Sequence, residues 1–144
     1  MNREIKYRGL DKNGNWVYGS LVNNLWKFSE LTDKKGVSVC EIITNNIQGD
    51  CWEDVIYEQA IIEVDENTVG EFTGLKDKNG VEVYEGDVLK CEGSLYVIQW
   101  NDLFAEFENK MIDNPKVSPC NIIYLMSNGE TIGNIFKNPE ILNQ

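Results

Sequence analysis

Asp77-Lys78-Asn79-Gly80 is flanked by apolar residues, and Val81-Glu82-Val83-Tyr84 and Glu85-Gly86-Asp87 follow it at once. Asn-Gly in that setting is the strongest short-range hairpin signal, because a two-residue type I′ turn needs φ > 0 at both central positions. A type I′ hairpin is therefore expected here. The stretch from Val64 to Leu89 is the segment around which the rest of the chain should be organised.

The pattern on either side is of short strands and turns. Ile5–Arg8 and Trp16–Tyr18 read as strands parted by Asp11-Lys12-Asn13-Gly14, and Leu21–Phe28 contains another apolar run. Asp33–Gly36 is a polar turn, and Val37–Ile42 alternates with the strand period of two. Asn45–Asp50 reads as loop. Residues 51–58 fit either a short helix or an irregular segment, with a strand near 59–64. Val69–Thr73, Val88–Cys91, Leu95–Trp100, Leu103–Phe107, Asn121–Leu125 and Thr131–Phe136 read as further strands. Glu92-Gly93-Ser94, Asn101-Asp102 and Ser127-Asn128-Gly129 are turns, Met111–Pro119 is loop, and Asn138–Leu142 suits a helical turn begun by Pro139. Many short strands at this spacing argue for an all-β protein of small barrels or a sandwich.

One segment echoes another. Gly9-Leu10-Asp11-Lys12-Asn13-Gly14 through Gly19 returns, with Lys76 and Glu85 inserted, as Gly74-Leu75-Lys76-Asp77-Lys78-Asn79-Gly80 through Gly86. Either each half contains a similar corner, or the same hairpin chemistry is used twice.

Charge narrows the function classes. The chain has 144 residues and a formal net charge of −11. Residues 1–64 carry 7 basic and 10 acidic side chains, and residues 65–144 carry 6 and 14, so the halves have net charges of −3 and −8. Such a chain is repelled by phosphate backbones and anionic lipid. Direct binding of nucleic acid or membrane is not expected. No apolar run approaches the roughly 20 residues of a membrane helix, and no leader-like segment opens the sequence, so a cytoplasmic location is expected.

The residue types needed for catalysis are sparse. There is no histidine, which removes the commonest general base and the Ser-His and Cys-His pairs. Cys40, Cys51, Cys91 and Cys120 lack a C-x₂-C knuckle and are expected to be reduced, mostly buried thiols. Asp11 and Asp77 each begin an Asp-Lys-Asn-Gly run that invites a calcium reading. The twelfth residues from them are Val22 and Val88, which cannot be bidentate ligands. Glu82, Glu85, Asp87 and Glu92 could act as acid and base or hold magnesium, but the strand period points Glu82 away from Val81 and Val83. Trp16, Trp26, Trp52, Trp100, Phe104 and Phe107 could stack on bases, but they lack the flanking Lys and Arg of a nucleic-acid groove and suit core packing better. No metal or cofactor is expected.

With these residues in place, the chain resembles the YopX family of small phage and prophage proteins. The resemblance rests on Lys6-Tyr7-Arg8 with Trp16-Val17-Tyr18-Gly19, Thr68–Gly80, Val83-Tyr84-Glu85-Gly86-Asp87-Val88, and Ile132–Leu142. At Gly9-Leu10 the chain departs from the small residue followed by Trp that members commonly carry. The resemblance implies a β-rich fold whose C-terminal half is an SH3-type barrel or roll, and a protein that self-assembles. It supplies no activity, cofactor or catalytic residue.

The expectation is an all-β protein in two small barrel-like halves, residues 1–64 and 65–144. It would be a non-enzymatic accessory protein acting through protein–protein contact. Thr73, Gly74, Asp77, Asn79, Gly80, Tyr84, Glu85, Gly86 and Asp87 form the candidate structural hub or interaction surface. Arg3, Lys6, Arg8 and Lys12 form a candidate assembly cluster that, if exposed, would meet the acidic half of a second copy. The expected partners are a further copy of the chain or a host protein. The alternatives are an acidic mimic of nucleic acid that inhibits a host factor, and a small-ligand binder or enzyme of unknown type.

Overall fold

The structure, a computed structural model, describes residues 4–23, 40–43 and 61–143. Arg3, Trp26, Trp52, Cys51, the turn at Asp33–Gly36, the loop at Asn45–Asp50 and residues 51–58 lie outside the described residues. The fold is mostly β, with ten antiparallel strands and one short α-helix among the described residues. Two compact units divide the chain, one of Ile5–Glu71 and one that takes up the chain from Phe72.

In the first unit, β1 (Tyr7–Leu10), β2 (Trp16–Asn23), β3 (Cys40–Ile43) and β4 (Ile61–Val64) form a sheet in the order β4-β3-β2-β1. Gly70 and Glu71, which open β5 (Gly70–Lys76), pair with Arg8 and Tyr7 on the other side of β1. Val17 and Val64 are buried among Tyr7, Leu21, Ile62 and Val69. Gly9 allows this approach, since a Cβ there would stand 2.9 Å from the Val64 side chain. Thr68 fastens the return of the chain: its Oγ1 donates to Asp65 O and accepts the Leu10 N–H.

In the second unit, Phe72–Lys76 of β5 pairs with β6 (Glu82–Tyr84). A second sheet has the order β10-β7-β8-β9, from β7 (Asp87–Cys91), β8 (Ser94–Asn101), β9 (Glu106–Met111) and β10 (Glu130–Asn134). Strand alternation gives this sheet two apolar faces. Leu89, Cys91 and Ile98 pack with Val83, Leu125 and Met126 on one side. Val88, Leu95 and Val97 pack with Ile135 and Ile141 on the other, where a 3₁₀ turn (Pro139–Asn143) crosses.

Four expectations are corrected. The two halves do not close into barrels among the described residues. Helix α1 (Ile122–Asn128) carries the chain from β9 to the far side of β7, so β10 cannot pair with β9 and both remain edges. Asn121–Leu125 is not a strand. Asn121 Oδ1 caps the Tyr124 N–H, and Ile122, Leu125 and Met126 then fall on one helical face. Residues 103–105 are a turn rather than the start of a strand, and β9 begins at Glu106.

The fourth correction concerns the Asn-Gly hairpins. Neither Asn13 nor Asn79 has a positive φ; only Gly14 (φ 77°) and Gly80 (φ 79°) do. In both turns one Asp organises the backbone. Asp11 Oδ1 accepts the N–H groups of Asn13 and Asn15, and Asp77 Oδ1 accepts those of Asn79 and Val81. Gly14 N donates to Asp11 O and Gly80 N to Asp77 O. The side chain stabilises a right-handed turn followed by one left-handed glycine, the three-residue hairpin loop. The type I′ geometry occurs instead at Glu92-Gly93, with φ of 50° and 83° between the paired Cys91 and Ser94.

Candidate interaction site

The hub residues divide by burial. Thr73, Asp77, Tyr84, Gly86 and Asp87 are buried, Glu85 is half-buried, and Gly74, Asn79 and Gly80 are exposed. Thr73 Oγ1 donates to Val83 O at 2.8 Å and accepts the Leu75 N–H at 3.1 Å, which ties β5 to β6. The Tyr84 ring lies tilted against Phe72 with centroids 5.3 Å apart. Asp87, only 2% exposed, accepts the Tyr84 N–H through Oδ2 and the Asn134 amide through Oδ1. Asp77 Oδ2 accepts the Thr131 N–H at 2.9 Å, and the Lys78 N–H donates to Gly129 O. Burial pushes the Asp77 carboxyl up, but the backbone donors Thr131, Val81 and Asn79 outweigh it and hold it below the ordinary carboxylate range. These contacts hold the hairpin to the end of the chain. They leave few of the hub side chains at the surface.

Gly86 makes the second junction. Its N–H donates to Ile98 O and its carbonyl accepts the Ile135 N–H, with φ of 88°. A Cβ there would stand 2.7 Å from the Phe136 ring.

The basic cluster is not a continuous exposed patch. Arg8 is 7% exposed, and its guanidinium stacks on the Trp16 ring at 4.1 Å. Lys6 is half-buried and Lys12 is exposed. The sequence could not show this, because an Arg beside a Tyr reads the same whether it stacks inward or reaches outward.

Beside Glu85 lies a cavity of about 390 Å³ on the face of the second sheet that carries Val97. Val97, Met111, Ile112, Pro115, Ile135, Phe136 and Leu142 give it apolar walls; Glu85, Gln99 and Lys110 are its polar members. Burial pushes the Glu85 carboxyl up and the neighbouring Asp102 adds to this, against the N–H bond it accepts from Trp100. A volume in this range, with apolar walls and few polar groups, suits the seating of apolar groups. It offers no nucleophile beside a base.

The turn joining β8 to β9 runs on past Asn101-Asp102 through Leu103 and Phe104, which were expected to open a strand. Leu103 is 84% exposed and Phe104 68%. Their backbone is fixed: Asn101 Oδ1 accepts the N–H groups of both, and Ala105 is left-handed with φ of 52°. Glu108 holds Asn101 by accepting its amide, and also accepts that of Gln99. Asn101-Asp102 marks the turn in the sequence, but nothing there shows that it carries Leu103 and Phe104 outward. Beneath the turn, Trp100 and Phe107 meet edge to face, with centroids 4.9 Å apart.

Two thiols are described, Cys91 buried and Cys120 half-buried, and both are free. Burial pushes the Cys91 thiol up, helped by Glu92 and Cys120. Among the described residues no three His, Cys, Asp or Glu side chains gather as a metal ion would require. Nor, among them, is any helix long and apolar enough to cross a membrane.

The model of the YopX protein family matches residues 6–143, nearly the whole chain. The chain belongs to the YopX family. Among solved structures, this YopX chain is similar to the crystal structure of protein EF1440 from Enterococcus faecalis. The two share 27% identity over 98% of this chain and 99% of the other, with a TM-score of 0.53. No curated protein matches it.

Proposed function

We propose that this YopX protein is a phage- or prophage-encoded accessory protein of the bacterial cytoplasm that works by protein–protein contact and self-assembles, without catalysis of its own. The observation that carries the reading is the Leu103–Phe104 turn, a fixed backbone that presents two large apolar side chains to solvent. Adjacent exposed Leu and Phe side chains on a fixed turn are costly to leave wet, and exposed apolar patches mark interaction sites. The absence of histidine and of any nucleophile–base pair in the cavity supports a binding role. The exposed Lys12 suits a charge contact with the acidic second half of another copy.

Light-scattering mass over a concentration series, at low and high salt, tests this reading. One defined multimer is expected. A monomer at every concentration and salt would overturn it. The alternative, an acidic mimic that occupies a basic site on a host protein, draws on the net charge of −8 in residues 65–144. It predicts salt-sensitive co-elution with a host nucleic-acid-binding protein.

A further inference from the structure

We propose that the Leu103–Phe104 turn of one copy seats in the Val97–Phe136 cavity of a second copy, and that the exchange is reciprocal about a twofold axis. The inference rests on the self-assembly reading and names the surface that performs it.

The two parts have matching chemistry. The turn offers two outward apolar side chains that their own fold leaves without cover. The cavity offers apolar walls from Val97, Met111 and Phe136, and about 390 Å³ of room, a volume that encloses molecules larger than two side chains. Charge also matches. Asp102 stands beside Leu103, and the exposed Lys110 is the cation of the cavity lining. A partner's turn would bring its Asp102 to this Lys110.

The two parts are also neighbours within one copy. Glu85 lines the cavity, accepts the Trp100 N–H, and lies near enough to Asp102 to feel its charge. A twofold axis close to Glu85 therefore brings each turn to the other copy's cavity in a single closed contact. A self-complementary patch of this kind closes at two copies and does not propagate into a filament. Because the turn is already fixed by Asn101 and Glu108, little order is lost on docking. The contact is small, at the low end of specific interfaces, and a dissociation constant on the order of micromolar is expected.

The test uses the full chain and two surface variants. L103S/F104S removes the turn's apolar groups, and Leu142→Lys places a charge at the half-exposed edge of the cavity. Each variant alone is expected to raise the dimer dissociation constant by roughly tenfold or more, measured by sedimentation over about 1–500 µM. Mixing the two variants restores one turn-in-cavity contact, so a mixed dimer tighter than either self-dimer is expected. Complementation requires both variants to be folded, so misfolding cannot imitate it. A dimer of unchanged affinity in L103S/F104S, or a mixture no tighter than its components, overturns this inference and leaves self-assembly standing through another surface. A monomeric wild-type chain overturns both. Saturable binding of an apolar dye in the cavity of such a monomer would identify a small-ligand pocket in place of a docking surface.

Discussion

The Asp77 carboxylate accepts the backbone N–H of Thr131 at 2.9 Å, across 54 residues of chain. The same carboxylate shapes its own hairpin by accepting from Asn79 and Val81. One side chain thus fixes a local turn and anchors β10. Asp77→Asn keeps an oxygen for the turn but offers an amide to the Thr131 N–H. A loss of about 1–3 kcal/mol is expected, read by urea denaturation. Asp11→Asn, in the matching turn, keeps the same Asx oxygen and gives up no recorded long-range bond, so it should cost less.

The Asp77 effect should depend on pH with a defined sign. Its carboxyl titrates below the ordinary value of 3.8, so its stabilisation is present above that value and is lost as pH falls through the folded one. The stability gap between wild type and Asp77→Asn should be constant near neutrality and should shrink in acid below about 3.8. A gap that widened in acid would contradict the arrangement.

Glu85 should behave in the opposite sense. Burial raises its carboxyl above 4.5, with Asp102 adding to the effect, so its contribution to stability is full below 4.5 and is lost as pH rises through the folded value. Glu85→Gln keeps an oxygen for the Trp100 N–H and removes the charge. It should stabilise the chain at pH 7 and lose that advantage at pH 4, measured by thermal melts at both values.

Gly86→Ala and Gly80→Ala separate two costs. Both glycines have positive φ, but a Cβ at Gly80 meets nothing within 4 Å, whereas at Gly86 it meets the Phe136 ring. Gly80→Ala should cost about 1 kcal/mol from the backbone alone. Gly86→Ala should cost more, about 2–4 kcal/mol when overpacking is added. Equal melting temperatures for the two variants would show that the Phe136 ring yields freely.

Asp87 and Asn134 should be coupled. Both are buried, and the Asn134 amide donates to Asp87 Oδ1 at 3.2 Å while its Oδ1 accepts the Phe136 N–H. Each Ala variant leaves a buried polar group without its partner and should cost at least about 1–3 kcal/mol. The double variant should cost less than the sum, with an interaction of about 0.5–3 kcal/mol in the cycle. Strict additivity would mean that the pair contributes nothing jointly.

The strands β7 and β8 were legible because Val88-Leu89 and Leu95–Trp100 combine β-rich composition with clear turns on each side. The hairpin at Asp77–Gly80 was legible as a hairpin but not in its geometry. Turn type was decided by which backbone N–H groups the Asp side chain captures, and a rule based on Asn-Gly alone does not weigh that. Ile122-Ile123-Tyr124-Leu125 misled for a related reason: β-branched and aromatic residues suggest a strand, while the Asn121 cap and burial of Leu125 and Met126 select a helix. The buried amides were hardest to see. Asn109 clamps both the N–H and the carbonyl of Cys120, and nothing in its neighbourhood marks it as interior. The Leu103–Phe104 turn was hidden by an apparent alternation through Ala105 and Phe107, which the left-handed Ala105 breaks.

The placement of β10 beside β7 also sets a timetable. On the ribosome, β7 emerges early, yet the strand that covers its open edge is Glu130–Asn134, some forty residues later in synthesis. Until that segment emerges, the nascent chain carries an uncapped strand edge and an Asp77 carboxylate without its Thr131 donor. The second unit therefore completes itself late, and termination before Glu130 would release a chain with β7 still open to pairing with a stranger.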